Sequence, residues 1–356
     1  MRMAAEAIEY LFVSVSSDMR YLTGYSTWPS ERLTLFVLPS HEEPLMVMPA
    51  FEAPLLQQSA PPFRIITWDE TSDPIDMVVN HLGSGQGFAG TIAVNGGLEG
   101  RFLVPLMNRL PNASWAMGDK IVSKLREIKT PDEIRLLRLA QSEATSCLAR
   151  LGRSRFSGRT ELELGQELMG ICMESKLRVT NLAIVASGPN GAHPHYHIGD
   201  RKMREGDAVV IDFGGVVDGY HADLTRTFHI GAPRPGSRFA EAYDLVQRAQ
   251  EAAFANARPG VAFEALDRLA REVIREGGYG EHFTHRLGHS IGLDEHEPPY
   301  LVEGNSGEVK AGMTFTLEPG IYVEGHFGIR IEDVVLVSDA GAERLGDLTG
   351  DLVIVA

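Results

Sequence analysis

Paired carboxylates on apolar segments are the residues of this chain best suited to chemistry. Asp212 directly follows Val209, Val210 and Ile211, and Asp223 lies eleven residues later in a second apolar segment. A carboxylate with such neighbours needs a cation or a hydrogen-bond network, because burying an unpaired charge is costly. Carboxylate oxygens are good ligands for hard divalent ions. The pair is therefore a candidate metal site.

A predicted β-hairpin brings the two aspartates together. Asp218-Gly219 is a strong turn signal between the two apolar segments. With those residues in the turn, Asp212 lies opposite Thr225 and shares a face with Asp223, since side chains alternate along a strand. The carboxylates are then diagonal neighbours with Cβ atoms less than about 7–8 Å apart, which suits two ions about 3.5–4 Å apart. A bulge at the glycines of the first strand would change this register.

Three histidines and two later glutamates extend the candidate ligand set. His285, His289 and His296 fall within twelve residues, and imidazole both binds borderline divalent ions and handles protons. A histidine-rich surface loop is the alternative for this segment. Glu318 and Glu332 lie beside apolar strand residues, and each alone would be an ordinary ion-pair partner. Together, four carboxylates and one histidine would repel without ions, and oxygen-rich ligation favours Mn²⁺ while admitting Co²⁺ or Zn²⁺.

The first part of the chain has the pattern of a small α/β domain over 1–121. Short apolar strands there are separated by turn signals and by stretches that can be helical. The predicted strands cover 8–15, 33–38, 45–48, 63–67 and 91–94, and the predicted helices cover 74–82 and 98–110.

Residues 122–356 have the pattern of a larger α+β domain. Thr130, Pro131 and Glu133 form an N-cap and capping-box signal, which predicts a linker helix over about 130–151. At 356 residues the chain is long for one hydrophobic core, in agreement with two domains. Further helices are predicted at 161–174, 238–257 and 263–276, and paired antiparallel strands at 208–213, 220–230, 313–317 and 328–337.

The composition excludes several classes of partner. The formal net charge is −15 and no long basic run occurs, so neither nucleic acid nor an anionic membrane surface is expected to bind. The apolar stretches are too short to span a bilayer, and no secretory signal is expected. The two cysteines, Cys147 and Cys172, lie in helix-like segments and are expected to be reduced thiols, with a disulfide as the alternative. A cytoplasmic location is the resulting expectation.

The order of these motifs resembles the pita-bread-fold metallopeptidases, the family of creatinases, aminopeptidases P and prolidases. The matching motifs extend over about 124–350, and Asp-Leu-Thr-Arg-Thr-Phe from Asp223 is similar to the proline-specific branch. The resemblance implies a pita-bread catalytic domain preceded by a creatinase-type N-terminal domain. Besides the aspartate pair, it is carried by Gly-His, Leu-Glu-Pro-Gly and Arg-Ile-Glu-Asp at His289, Glu318 and Glu332.

The resemblance also implies roles for individual residues. Glu318 would take and pass on a proton, His195 would steady the tetrahedral intermediate, and His296 would combine catalytic and substrate contacts. His285 would line the substrate pocket, and Arg330 would lie behind the ligands at the active centre. Ser290 departs from the family, where glycine is more usual. Two divalent ions, which activate a water and polarise the scissile carbonyl, would be held by Asp212, Asp223, His289, Glu318 and Glu332.

The implied activity is hydrolysis of the bond before proline in a small peptide, first of all in dipeptides. Some prolidases bind the dipeptide carboxylate through an arginine just after the His-Glu segment, and this chain has none there. Arg32 is the candidate replacement, with an ordinary surface arginine as the alternative. Without such a cation the chain would be a Xaa-Pro aminopeptidase for longer peptides. A metal-free creatinase-type hydrolase and a non-catalytic peptide-binding module are remoter, because all five ligands are present. The family also implies a homodimer.

Overall fold

The computed structural model describes residues 2–58, 61–83, 87–179 and 183–356. The chain divides into two compact units, Met1–Leu125 and Arg126–Ala356. Each unit has its own apolar core. Within the described ranges, no helix combines the length and apolar character needed to cross a bilayer.

The N-terminal unit is an α/β structure, as predicted. Its helices are α1 (Arg2–Ala5), α2 (Ser17–Thr23), α3 (Ala53–Gln57), α4 (Pro74–His81), α5 (Gly100–Arg109) and α6 (Asp119–Arg126), the last of which ends at the boundary. Its strands are β1 (Tyr10–Ser14), β2 (Leu35–Pro39), β3 (Leu45–Pro49), β4 (Arg64–Trp68), β5 (Thr91–Val94) and β6 (Ser114–Met117).

These six strands form one mixed sheet in the order β4-β3-β2-β1-β5-β6. The strands predicted from the sequence are all present, and the apolar residues of β1, β2, β3 and β5 are mostly buried. Strand β6 was not predicted. It lies at the sheet edge with no fully buried residue, and its sequence has none of the β-branched residues that mark the other strands.

The C-terminal unit combines long helices with antiparallel sheets. Its helices are α7 (Pro131–Leu151), α8 (Glu161–Met173), α9 (Arg238–Asn256) and α10 (Phe263–Glu276), with 3₁₀ turns at Gly188–Ala192 and Gly280–His282. Its strands are β7 (Ile184–Ser187), β8 (Ala208–Val217), β9 (Tyr220–Ile230), β10 (Gly288–Ser290), β11 (Glu297–Leu301), β12 (Thr314–Leu317), β13 (Gly320–Val323), β14 (Phe327–Arg330), β15 (Asp333–Ser338), β16 (Gly341–Arg344) and β17 (Val353–Val355).

The described part of this unit, 126–179 and 183–356, contains three sheets, and one predicted strand is divided between two of them. The sheets have the orders β17-β9-β8-β7, β11-β10-β12-β15-β16 and β13-β14. The prediction of a single strand over 328–337 was wrong. β14 pairs with β13, whereas β15 pairs with β12 and β16, so the chain leaves one sheet and enters another at Ile331 and Glu332. Glu332 therefore lies at a crossing between sheets.

Helix α7 begins as its capping signal predicts. The Thr130 hydroxyl accepts from the Glu133 backbone N–H, and the Glu133 carboxylate accepts from the Thr130 N–H. The helix then packs against α8 and the β8–β9 hairpin. Cys147 in α7 and Cys172 in α8 are both buried free thiols.

Removing this cap is expected to have a modest effect on stability. Thr130→Ala leaves the Glu133 amide without its acceptor and should lower the free energy of unfolding by about 1 kcal/mol. Thr130→Ser keeps the hydroxyl and serves as the control. Urea unfolding followed by circular dichroism measures both, and equal stability of Thr130→Ala and the unaltered chain would contradict the role of the cap.

Candidate active site

The aspartate pair lies on a regular hairpin of β8 and β9. Asp212 is directly opposite Thr225, and Asp223 is opposite Gly214, so the predicted register is confirmed and no bulge intervenes. Gly214 leaves room for this pairing: a Cβ there would lie 2.3 Å from the Ala222 carbonyl oxygen. The two carboxylates are diagonal neighbours on one face.

A glutamine side chain fixes the backbone of Asp223. The amide of Gln141 in α7 donates to the Asp223 carbonyl (3.0 Å) and accepts from the Asp223 N–H (3.2 Å). The Gln141 side chain thus makes the two hydrogen bonds that the backbone of a neighbouring strand would make with Asp223. Helix α7 thus positions the ligand strand directly.

Thr225 joins the hairpin to Glu332. The Glu332 N–H donates to the Thr225 carbonyl at 3.0 Å, and the Thr225 hydroxyl donates to Glu332 Oε2 at 2.7 Å. Behind them, buried Arg226 donates to the carbonyls of Thr225 and Glu332 and pairs with Asp333 at 2.6 Å. These bonds fix Glu332 beside the aspartates although it belongs to neither strand.

His289 and Glu318 complete the other side of the cluster. The Thr316 hydroxyl accepts from the His289 backbone N–H (3.1 Å) and donates to Glu318 Oε1 (3.2 Å). Thr316 thus connects the His289 backbone to the Glu318 carboxylate. Nδ1 of His289 lies 3.1 Å from the Ser290 carbonyl, so this nitrogen carries the proton. Nε2 then has the free lone pair that a metal requires, and it lies 3.5 Å from Asp223 and 3.4 Å from Glu318.

All five predicted ligands converge in overlapping groups. In each of three groups, the potential ligand atoms lie within 4.8 Å of one another. The groups are Asp212, Asp223 and Glu332; His289, Glu318 and Glu332; and Asp223, His289 and His296. His296 is an addition to the predicted ligand set: its ring lies 4.1 Å from that of His289. The arrangement has the oxygen-rich donors that hard and borderline divalent ions prefer.

The cluster is electrostatically unfavourable without cations. Burial, followed by the charges of neighbouring carboxylates, raises the pKa of Asp223 and Glu332 well above the ordinary values. Burial raises the pKa of Glu318 to about 7. Burial and then His296 lower the pKa of His289 to about 3, so its imidazole is neutral. Buried carboxylates that cannot ionise together beside a neutral imidazole fit a metal centre.

A hydrogen-bonded chain connects the substrate-side residues. Arg330 donates to Asp212, to the Thr225 hydroxyl and to the Tyr322 hydroxyl (2.8 Å). Tyr322 lies 2.8 Å from Nε2 of His285, whose Nδ1 contacts the Arg286 carbonyl. Burial lowers the pKa of His285 to about 4, so the ring is neutral. Its Nε2 therefore accepts a hydrogen bond from the Tyr322 hydroxyl. This series of hydrogen bonds, through Arg330, orients the Asp212 carboxylate.

These residues surround one cavity of about 530 Å³ in the C-terminal unit. The floor carries the ligand cluster. Glu297, which follows His296, does not belong to it: its buried carboxylate pairs with Arg126 and Lys129. The lining also includes His195, His285, Arg286, Glu295, His296 and Arg330.

Two other sequence expectations have clear structural outcomes. Ser290 is accommodated in place of glycine, since its hydroxyl donates to the Pro299 carbonyl at 3.1 Å. Arg32 lies in the N-terminal unit, where its guanidinium already contacts Glu31 and Glu70.

Several residues of the site were not predicted from the sequence. Tyr322, Thr316 and Gln141 act through side-chain hydrogen bonds on largely apolar elements, and no spacing in the sequence marks them. Arg286 and Glu295 were not predicted either, although Arg286 follows His285 and Glu295 precedes His296 in the sequence. A charged residue next to a candidate ligand was the available signal.

Comparison with known proteins agrees with this site. The profile of "Metallopeptidase family M24" matches residues 135–339, and that of "Creatinase/Prolidase N-terminal domain" matches 1–128. The chain is 38% identical over 349 residues to a probable dipeptidase PepE of Mycobacterium tuberculosis, covering 97% of this chain and 92% of the relative. It is 32% identical over 354 residues to a Xaa-Pro dipeptidase of Lactobacillus helveticus, covering 97% and 94%. The structure of an X-Pro aminopeptidase from Thermotoga maritima is similar with a TM-score of 0.84 and 29% identity, covering 100% of each chain.

Proposed function

Because the chain belongs to metallopeptidase family M24, we propose that it hydrolyses the peptide bond before proline, first of all in Xaa-Pro dipeptides. The observation that carries this proposal is the convergence of five potential ligands on the floor of one cavity. The Xaa-Pro dipeptidase relative and the probable dipeptidase relative support the choice of dipeptides.

Asp212, Asp223, His289, Glu318 and Glu332 would hold the divalent ions that family membership implies. When bound, such ions act as Lewis acids and lower the pKa of water. Glu318, whose Oε1 accepts from the Thr316 hydroxyl at 3.2 Å, is the residue that we assign to take and pass on the proton. His195 and His296, both in the cavity lining, would donate to the oxygen on which charge develops.

Recognition of proline must work without a backbone N–H on the leaving side. A tertiary amide offers no donor, so the pocket can recognise only ring shape, the carbonyl groups and the charged ends of the substrate. His285 and Arg330, joined through Tyr322, form one wall of the cavity. We assign them to substrate contact.

Hydrolysis of longer peptides is the second candidate function. It is favoured by the similarity to the X-Pro aminopeptidase structure and by the absence of an arginine between His296 and Glu318. The two functions differ in how far the substrate extends beyond proline, so substrate length separates them.

Peptide hydrolysis in Mn²⁺ tests the proposal. We expect kcat/KM for Ala-Pro to exceed that for Ala-Pro-Ala at least about tenfold, and Ala-Ala to be cleaved at least about 100-fold more slowly than Ala-Pro. Release of free amino acid, followed by chromatography, measures all three. Faster cleavage of Ala-Pro-Ala would establish the aminopeptidase instead, and no cleavage of any peptide would support the non-catalytic alternative.

The native metal, assembly and location are also proposals. Manganese is proposed because four carboxylates and one imidazole form an oxygen-rich site. A homodimer in the cytoplasm is proposed from family resemblance and from the expected reduced thiols. Metal analysis of the protein purified from its source and light scattering at several concentrations test these assignments.

A further inference from the structure

One charged side chain in the cavity lining has no role in the site described so far. Arg286 lies between His285 and β10. Within 2–58, 61–83, 87–179 and 183–356, no hydrogen bond or ion pair joins its guanidinium to another residue. Arg330 in the same cavity differs in this respect, because its guanidinium donates to Asp212, Thr225 and Tyr322. Arg286 therefore presents unused donors to the cavity.

An aromatic ring, rather than a carboxylate, positions this arginine. The guanidinium carbon of Arg286 lies 4.1 Å from the ring centroid of Tyr300, a cation–π contact. Tyr300 is directly opposite His289 in the β10–β11 pair, and its carbonyl accepts from the Asn305 amide at 2.7 Å. Because the ring centre accepts no directed hydrogen bond from the guanidinium, its N–H groups stay available to an anion.

The charge of Arg286 acts at the ligand cluster. Burial and then Arg286 lower the pKa of His296. Burial raises the pKa of Glu318, and the charges of Arg330 and Arg286 oppose that rise. The same proximity is seen in the geometry, since Arg286 lines one cavity together with His296 and Glu318.

We propose that Arg286 binds the α-carboxylate of the substrate's proline and thereby selects dipeptides. This inference rests on the proposed hydrolysis of Xaa-Pro bonds. A planar guanidinium donates two parallel hydrogen bonds to a carboxylate. In a dipeptide the C-terminal carboxylate belongs to the proline whose nitrogen is released. Each residue added after proline moves that carboxylate about 3.3–3.6 Å further from the scissile bond. Arg286 lines the same cavity as His289, and its guanidinium contacts the ring of Tyr300, the residue paired with His289, so it suits the shorter substrate.

Arg32 is the competing source of this cation. Its guanidinium contacts Glu31 and Glu70 and lies 5.5 Å from the ring centroid of Phe51. A substrate carboxylate would have to replace those two acidic partners. Arg286 has no such partner to displace, and the same assay decides between the two arginines.

The test removes the charge once from the enzyme and once from the substrate. kcat/KM is measured for Ala-Pro and for Ala-Pro-amide with Arg286→Ala, Arg286→Gln and Arg32→Ala. Both Arg286 variants should lose about 10- to 100-fold on Ala-Pro and less than about threefold on Ala-Pro-amide. The matched control is Arg238→Ala, since Arg238 also lies over a tyrosine ring, Tyr279 at 5.8 Å, but not in the cavity lining.

Binding without turnover gives a second measurement. Calorimetry of the metal-free protein with L-proline and with L-prolinamide should show a Kd for proline about 10- to 100-fold higher in Arg286→Gln, and no change for prolinamide. Tyr300→Leu should weaken proline binding in the same selective way, whereas Tyr300→Phe, which keeps the ring, should retain it.

Two results would overturn the inference. One is an equal loss on Ala-Pro and Ala-Pro-amide in both folded Arg286 variants. The other is a selective loss in Arg32→Ala alone, which would return the role to Arg32. Failure of the unaltered protein to cleave Ala-Pro would instead refute the proposed function, and the proline calorimetry would still decide the role of Arg286.

Discussion

Asp223→Asn is expected to lower kcat for Ala-Pro by at least about 10³-fold, equivalent to several kcal/mol of lost charge stabilisation. Asp223 is buried and belongs to two of the three groups of potential ligands. The amide of asparagine has the size of the carboxylate but no charge, so it would not replace the carboxylate beside the divalent ions that family membership implies. Initial rates in saturating Mn²⁺ measure the effect.

The same hairpin contains a matched control. Asp218 is exposed in the turn with φ of 47°, a conformation that asparagine adopts readily, so Asp218→Asn should leave kcat within about twofold. Metal-free Asp223→Asn should be no less stable than the unaltered protein, because it removes one repelling carboxylate. Retention of more than about a tenth of the activity by Asp223→Asn would refute its assignment as a ligand.

Chelation is expected to destabilise the protein increasingly as pH rises. At 100 times its Kd, an ion that binds only the folded state stabilises it by about 2.7 kcal/mol. For a unit of this size that corresponds to a difference of about 5–10 °C in Tm. Calorimetry with Mn²⁺ or with EDTA at pH 5.5, 6.5 and 7.5 measures the difference, which should be largest at pH 7.5.

The sign follows from the direction of the carboxylate pKa shifts. The pKa of Glu318 is about 7 in the folded chain against an ordinary 4.5. Between these values the folded chain holds more protons than the unfolded chain, so the stability of the metal-free protein falls as pH rises. Metal binding displaces those protons and therefore strengthens with pH.

Glu318→Gln is the control for this pH dependence. It removes one carboxyl whose pKa of about 7 lies in the measured range, and it should make the fall in Tm of the EDTA-treated protein less steep. A metal-free Tm that increases between pH 5.5 and 7 in the unaltered protein would contradict the raised pKa of the cluster.

The sequence was most informative where local rules determine geometry. Asp218-Gly219 identified the turn, and strand alternation then placed Asp212 opposite Thr225, as the hairpin has it. The capping residues of α7 likewise identified its start. In both cases the interacting residues are close in sequence, so the pattern itself contains the contact.

The rest depends on contacts between segments far apart in sequence. The predicted strand over 328–337 divides because its two halves pair with different sheets, and no local signal at Glu332 marks that change. Gln141 reaches Asp223 across 82 residues, and Arg286 meets the ring of Tyr300 only because β10 and β11 pair. The candidate ligands could be named from the sequence, whereas the residues that orient them could not.

Arg226 has a consequence for the thermodynamics of ion capture. Its bonds to the Thr225 and Glu332 carbonyls and to Asp333 require no ion, so the ligand frame is assembled during folding. Ordering the Glu332 side chain and backbone costs conformational entropy once, at that stage, and an arriving ion does not lose it again. The repulsion among the gathered carboxylates therefore destabilises the folded metal-free protein. Binding of cations relieves that repulsion, and this relief contributes to the affinity for the ions.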